Sequence, residues 1–475
     1  MTGDNRSSRL ERRKYIQLLG GTAAAIGLAG CGGNNNDNSN GGGNDGDNSN
    51  GGGNDGDNSN GGGNDGSSSG SESWRDNMSD SVTVWTFDST DWPKNSVDDY
   101  IEETGSGEIS AEVNSLARTD LEQRLQSRIL SGQSAPSAAM IEISSMSGYI
   151  EQGGVREITN WVEEAGLQDP IVDAAWGGTN DSDGGIYGVP TDYGPAPWFY
   201  RQSVMDDLGI DPENISTYQE LLDAGSDLPD DQYLILLTGN VWGRVWRLLY
   251  RQTGNTHITQ DGTINVNSEE SARVVEFMAE AVNSGVADPT SSAGSTFYNH
   301  LGDGTAASTI RGAWFEGSLN STLPDTSGDW RVTKPPMFEW SDAQARGTVW
   351  GGSGYLIPEQ IGDAEAGRMF DILNHMASEE MQVKAAEAGN FPANTKVYDS
   401  EIFSEPVDFF GGQPAREVYA EVAREAPDWR FSPDESVILE SVAQGVTSVI
   451  DNGEDPQAAM QTAAERIADR TDYTL

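Results

Sequence analysis

Residues 82–87 read VTVWTF, residues 120–130 read DLEQRLQSRIL and residues 138–143 read AAMIEI. The first is a β-branched and aromatic run closed by the polar turn Asp88-Ser89-Thr90. The second carries leucine and isoleucine at helical spacing, and the third is again a short strand pattern. Strand, helix, strand opens an α/β sheet. The alternation continues outward from there. Helices are expected at 216–225, 268–284, 363–377, 414–425 and 455–470, and strands near 233–237, 307–310, 331–333 and 355–357. Ser268-Glu269-Glu270 and Asp363-Ala364-Glu365 are good helix starts and Ser284-Gly285 a plausible stop. The pattern predicts two α/β lobes.

Of the 475 residues, 76 are acidic and 28 basic, a formal charge of −48. The acids are spread along the body rather than gathered in a tail, so nucleic acid and anionic membrane surfaces are poor partners. Self-repulsion on this scale is tolerable where salt shortens the Debye length to about 3 Å, near 1 M. A high-salt habitat of the haloarchaeal kind is therefore expected. Scarce lysine (Lys14, Lys94, Lys334, Lys384, Lys396) fits that reading. The lone cysteine, Cys31, allows neither an intrachain disulfide nor a Cys/His zinc site. No metal and no cofactor are expected.

Residues 9–31, RLERRKYIQLLGGTAAAIGLAGC, place a basic cluster before a short, glycine-rich apolar run and small residues before Cys31. The run is too short for a transmembrane helix and reads as a signal peptide, 1–30. Arg12-Arg13 with Lys14-Tyr15-Ile16 resembles a twin-arginine export signal, and Leu28-Ala29-Gly30-Cys31 resembles a lipobox. That resemblance implies export, cleavage before Cys31 and a lipid on its sulfur. A tract of period ten, GDNSNGGGND, follows. Its residues bury too little apolar area to offset the entropy of ordering, so 31–80 is expected to be a flexible tether. A calcium-binding β-roll needs a large apolar residue in each repeat, and none is present.

Residues 184–222, GGIYGVPTDYGPAPWFYRQSVMDDLGIDPENISTYQELL, resemble the extracellular solute-binding proteins of ABC transporters, in the branch that contains maltose- and other sugar-binding proteins. Gly153-Gly154-Val155 with Ile158-Thr159, residues 306–314 (AASTIRGAW), residues 351–358, Ser378-Glu379-Glu380 and residues 437–470 match further segments in family order. The resemblance covers about 82–470, nearly the whole body. It implies a two-lobed, type II periplasmic-binding-protein-like α/β fold that closes over ligand by a hinge motion. Lobe 1 would comprise 81–190 and 331–395, and lobe 2 would comprise 191–330 and 396–475, with crossings near Pro190, Thr333 and Ala393.

A sugar presents apolar C–H faces and hydroxyl edges, so its site needs aromatic plates beside hydrogen-bonding groups, on loops at strand ends. The candidates are Trp85 and Asp88, then Ser144, Ser145 and Tyr149 on the first lobe. Asp192, Tyr193 and Trp198 follow the crossing; Asn240, Trp242, Arg311, Trp314 and Glu316 belong to the second lobe. Trp350, Gly351 and Gly352 lie on the return segment, and Phe409 and Phe410 before a glycine turn. Trp85 sits in a strand and suits the core equally well, and among Trp198, Phe199 and Tyr200 one or two must be core. Trp242 and Trp246, four apart, form either a packed stripe or a stacking platform. Arg311 suits a charged ligand group or a neighbouring carboxylate equally. Asp88 and Asp192, in so acidic a chain, also read as ordinary solvated charges.

A surface glycoside hydrolase would need two opposed carboxylates, and no hydrolase-like pair is recognisable. His257, His300 and His375 lie in no catalytic motif, and G-x-S-x-G is absent from the α/β body. An adhesin would favour repeated β-domains. The reading is thus a non-enzymatic, monomeric receptor that captures a sugar or oligosaccharide and delivers it to a membrane permease. Energy comes from an ATPase elsewhere, since no G-x-x-x-x-G-K-[ST] loop occurs. The family also includes receptors for glycerol phosphodiesters, polyamines and ferric iron; iron sites there use paired tyrosines, and no Tyr-Tyr pair occurs here.

Overall fold

The structure is a computed structural model. It describes residues 74–475, apart from 76, 106, 230 and 292–294. Arg12, Arg13, Cys31 and the repeat tract lie outside the described residues.

Ten strands fall into two sheets of five among the described residues. The first sheet contains β1 (Ser81–Thr86), β2 (Ser110–Ser115), β3 (Ala138–Glu142), β4 (Gly188–Pro195) and β10 (Val349–Leu356) in the order β2-β1-β3-β10-β4. β1, β2 and β3 are parallel, and β10 runs antiparallel between β3 and β4. The second contains β5 (Trp198–Arg201), β6 (Ile235–Leu236), β7 (Ala287–Asp288), β8 (Ser308–Ile310) and β9 (Trp330–Thr333), in the order β7-β6-β8-β5-β9. Parallel strands need crossover connections, and helices supply them. Arg118–Ser131 links β2 to β3, and Glu269–Asn283 precedes β7.

Helix starts are set by side chains. Ser268 accepts a hydrogen bond from Ser271 N at the head of Glu269–Asn283. Thr217 and Glu220 form a reciprocal capping box for Tyr218–Ala224, the T-x-x-E signature of that segment. Trp246, on the helix Trp242–Arg251, stacks on Tyr250 at 4.7 Å and donates its indole N–H to Ser271 Oγ. The Trp242/Trp246 pair is thereby resolved for Trp246, which packs helix on helix.

The boundaries differ from those expected at three points. The body begins before residue 81: Trp74 is buried, edge-on to Phe370 at 4.9 Å, with its N–H on Asp371. Burying an indole there outweighs the freedom of a tether. Pro190 lies inside β4, which stays in the first sheet through Pro195 because β10 pairs with it as far as Val349. The chain therefore crosses at Ala196-Pro197 rather than at Pro190. Likewise β9 pairs with β5, Thr333 opposite Trp198, so residues 331–333 belong with the second sheet and the return enters the first at Val349. The two crossings lie side by side, with Ala196 N donating to Thr348 O at 2.8 Å. A third passage follows the Ile171–Asn394 bridge. Residues 429–433 then lean back on the first lobe, where Phe431 N donates to Gly177 O and Ser432 O accepts from Ser147 Oγ.

Candidate ligand cleft

The carboxyl ends of β1, β3 and β4, and the start of β10, share one edge of the first sheet. The carboxyl ends of β6 and β8 share one edge of the second. Strand ends of this kind are where open α/β sheets bind ligands. Contacts across the seam join the two edges.

On the first edge, Ser353 is the register partner of both Glu142 and Asp192, so a row Glu142–Ser353–Asp192 crosses three strands. Asp192 accepts from the backbone N–H and the hydroxyl of Ser353. Desolvation pushes the Asp192 carboxyl up to about 7, against the Ser353 hydrogen bonds and with repulsion from Asp88 and Glu142 adding to the rise. Asp88 accepts from Thr90 N and from Asn390 Nδ2, each at 2.8 Å. Glu142 is buried and accepts from Ser144 Oγ, from Arg118 at 2.7 Å and, from the opposite lobe, from Arg244 at 3.1 Å. Burial pushes its carboxyl up, but Arg244, Arg118 and Arg247 together hold it below the usual carboxylate range. Ser145 is half-buried beside this group.

On the second edge, Arg311 donates to Thr238 Oγ1 at 3.0 Å, with its guanidinium 4.3 Å from the Trp350 ring. Trp314 donates its indole N–H to the Trp350 carbonyl at 3.1 Å yet remains 43% exposed. It is one of only three large hydrophobic side chains exposed among the described residues. The glycine between Arg311 and Ala313 is required sterically: a Cβ on Gly312 would lie 2.3 Å from Trp314 Nε1. Gly351 and Gly352 adopt φ of 100° and 130°, conformations that side chains disfavour, next to this contact. Glu316 accepts from the Tyr419 hydroxyl at 3.1 Å, and burial raises its carboxyl. Asn240 is exposed at the end of β6, and Trp242 is buried behind it.

The structure therefore brings together Asp88, Ser144, Asp192, Arg311, Trp314, Glu316, Trp350, Gly351 and Gly352 at or beside the seam. It places Trp85, Tyr149, Tyr193, Trp198, Phe409 and Phe410 in the packing. Trp85 is buried under Arg128, and Tyr149 donates to Glu122 O. Tyr193 is buried and accepts from Arg251. Trp198 is 0% exposed, and Phe410 packs on Phe199 at 6.1 Å. An in-strand aromatic faces the core whenever its register requires it.

Glu142, Arg244, Ser353 and Asn390 were not apparent from sequence. Two carried a signal: Glu142 is a charge closing an otherwise apolar strand. Arg244 sits in the first turn of a helix, where the dipole disfavours a cation unless an acid outside the helix holds it. A depression of about 570 Å³ lies elsewhere on the first lobe, lined by Tyr100, Glu103, Asp371, His375 and Lys396 among others.

Residues 24–411 match the family model described as bacterial extracellular solute-binding protein. The chain belongs to this family. The solute-binding protein is 27% identical over 323 residues to the lactose-binding protein of Rhizobium radiobacter, spanning 66% of this chain and 74% of that one. It is 24% identical over 315 residues to an arabinooligosaccharide-binding protein of Halalkalibacterium halodurans, spanning 62% and 67% respectively. In fold it is similar to the galacto-N-biose/lacto-N-biose I-binding protein of Bifidobacterium longum, solved with lacto-N-biose. That match has a TM-score of 0.69 and 16% identity, covering 84% of this chain and 99% of that one. The two-lobed, periplasmic-binding-protein-like α/β architecture is thus shared.

Proposed function

We propose that this solute-binding protein is the extracytoplasmic receptor of an ABC importer for a sugar or oligosaccharide. It acts as a non-catalytic monomer, is exported through its Arg12-Arg13 signal, and is held at the outer face of the membrane by a lipid on Cys31. The observation that carries the sugar assignment is Trp314: an exposed indole at a seam whose opposite wall carries the hydrogen-bonding groups of Asp88, Asp192, Ser353 and Asn390. An aromatic face beside such acceptors and donors suits a pyranose ring. The names of the lactose- and arabinooligosaccharide-binding relatives support the same class. Contact with both lobes would stabilise the closed form, which docks on the permease.

The test is a thermal-shift screen in high-salt buffer against sugars, polyols, glycerol phosphodiesters, polyamines and ferric iron. A ligand at 100 times its Kd adds about 2.7 kcal/mol of stability. A shift with one sugar class, the sugar recovered unchanged, is expected. A shift with a polyamine or iron alone removes the sugar assignment, and turnover of a sugar removes the receptor reading.

A further inference from the structure

Arg311 is 5% exposed, yet among the described residues no carboxylate lies within ion-pair distance of it. Its one hydrogen-bond acceptor among the described residues is the neutral Thr238 hydroxyl, and its guanidinium is held between the rings of Trp350, at 4.3 Å, and Phe297, at 5.0 Å. The other buried arginines are better matched. Arg247 pairs with Glu435 at 2.8 Å, and Arg368 lies 3.9 Å from Asp80. Arg251 donates to the Pro427 carbonyl and the Tyr193 hydroxyl and feels Asp428. In a chain with 76 acidic residues, a buried cation without an acid beside it stands out. Cation–π contacts offset only part of the cost of desolvating an unpaired charge. Burial accordingly pulls the Arg311 guanidinium down to about 10, with only Tyr298 opposing.

The location gives this imbalance a use. Arg311 opens the turn that carries Trp314, and Trp350 comes from the first lobe, so the guanidinium sits at the seam where the solute would lie. Building on the sugar-receptor reading, we infer that the captured sugar bears a carboxylate, as a uronic acid does, and that Arg311 is its counter-ion. A planar guanidinium matches a planar carboxylate in two parallel hydrogen bonds. One guanidinium balances one negative charge. A phosphate dianion would bring a second into a seam already carrying Asp88, Asp192 and Glu316. The negative field of the whole chain would repel any anion in dilute buffer. Molar salt screens that field and leaves the short-range pair.

The test is calorimetric titration of the purified protein in molar-range salt with glucuronate and galacturonate, as monomers and oligomers. The neutral parent sugars and the 6-phosphates are titrated alongside. The expected result is about tenfold or tighter binding of an acid over its neutral parent. Arg311→Gln should bring the affinity for the acid down to the level of its neutral parent, and Arg311→Lys should keep part of the preference. Wild-type protein that binds a neutral sugar as tightly as its acid overturns this inference and leaves the sugar receptor standing. A preference for the 6-phosphate overturns the carboxylate assignment. Absence of binding by every sugar, acid or neutral, overturns both readings.

Discussion

Two tryptophans, Trp314 and Trp198, are expected to respond in opposite ways to removal. Trp314 is 43% exposed and makes one polar contact across the seam. Trp314→Ala should leave melting nearly unchanged and weaken sugar binding by about 2 kcal/mol, the scale of an aromatic anchor. Trp198 is fully buried in β5, and Trp198→Ala should cost about 3–5 kcal/mol of folding stability. Chemical denaturation with parallel sugar titration separates the two. Asp192 adds a pH signature. Its folded-state value of about 7 lies above its ordinary 3.8, so between these pH values the folded protein holds more protons than the unfolded chain. Its contribution to stability therefore falls as pH rises through that window and is level above it. Asp192→Asn should gain on wild type progressively up to about pH 7, by up to about 4 kcal/mol in all, in melting followed against pH. At this scale sequence was least informative. It supplied the correct residue types, but an aromatic in a strand looks the same whether it faces the helices, like Trp85, or the seam.

Glu142 shows how an element end joins two lobes. It closes β3 and holds Arg118 from its own lobe and Arg244 from the facing helix Trp242–Arg251. Glu142→Gln leaves Arg244 without its acid and Arg118 with Glu122 alone, at 3.3 Å, and should cost about 3 kcal/mol of stability. Arg244→Gln should cost only about 1 kcal/mol, because Arg118 still neutralises Glu142. Equal losses in urea denaturation would argue against a shared acid. Elements were largely legible in the sequence for physical reasons. The helices Glu269–Asn283, Ala415–Glu425 and Pro456–Arg470 show apolar periodicity and clear starts. The crossings were misplaced because strand length is decided by pairing: β4 extends to Pro195 only because β10 lies beside it, which no local pattern reveals.

For the whole molecule, a charge of −48 opposes compactness wherever it is unscreened. The melting temperature should climb steadily as sodium chloride is raised from about 0.1 M to the molar range, where the Debye length contracts from about 10 Å to 3 Å. A flat profile would mean that the acids are balanced locally. Acid acts in the opposite sense to its effect on Asp192. Burial pushes Glu435 up, but His257 and Arg247 hold its carboxyl down at about 2, so its contribution is present above the ordinary 4.5 and lost as pH falls towards 2. The two-lobed architecture was legible because alternation of strands and helices over some 390 residues leaves few alternatives. The placement of the ligand between the lobes is the central claim, and the structure of the protein with its sugar bound tests it most directly. The predicted result is a ring at the seam, stacked on Trp314 and hydrogen-bonded to Asp88 or Asp192. A sugar found instead in the depression lined by Tyr100, His375 and Lys396 would contradict it.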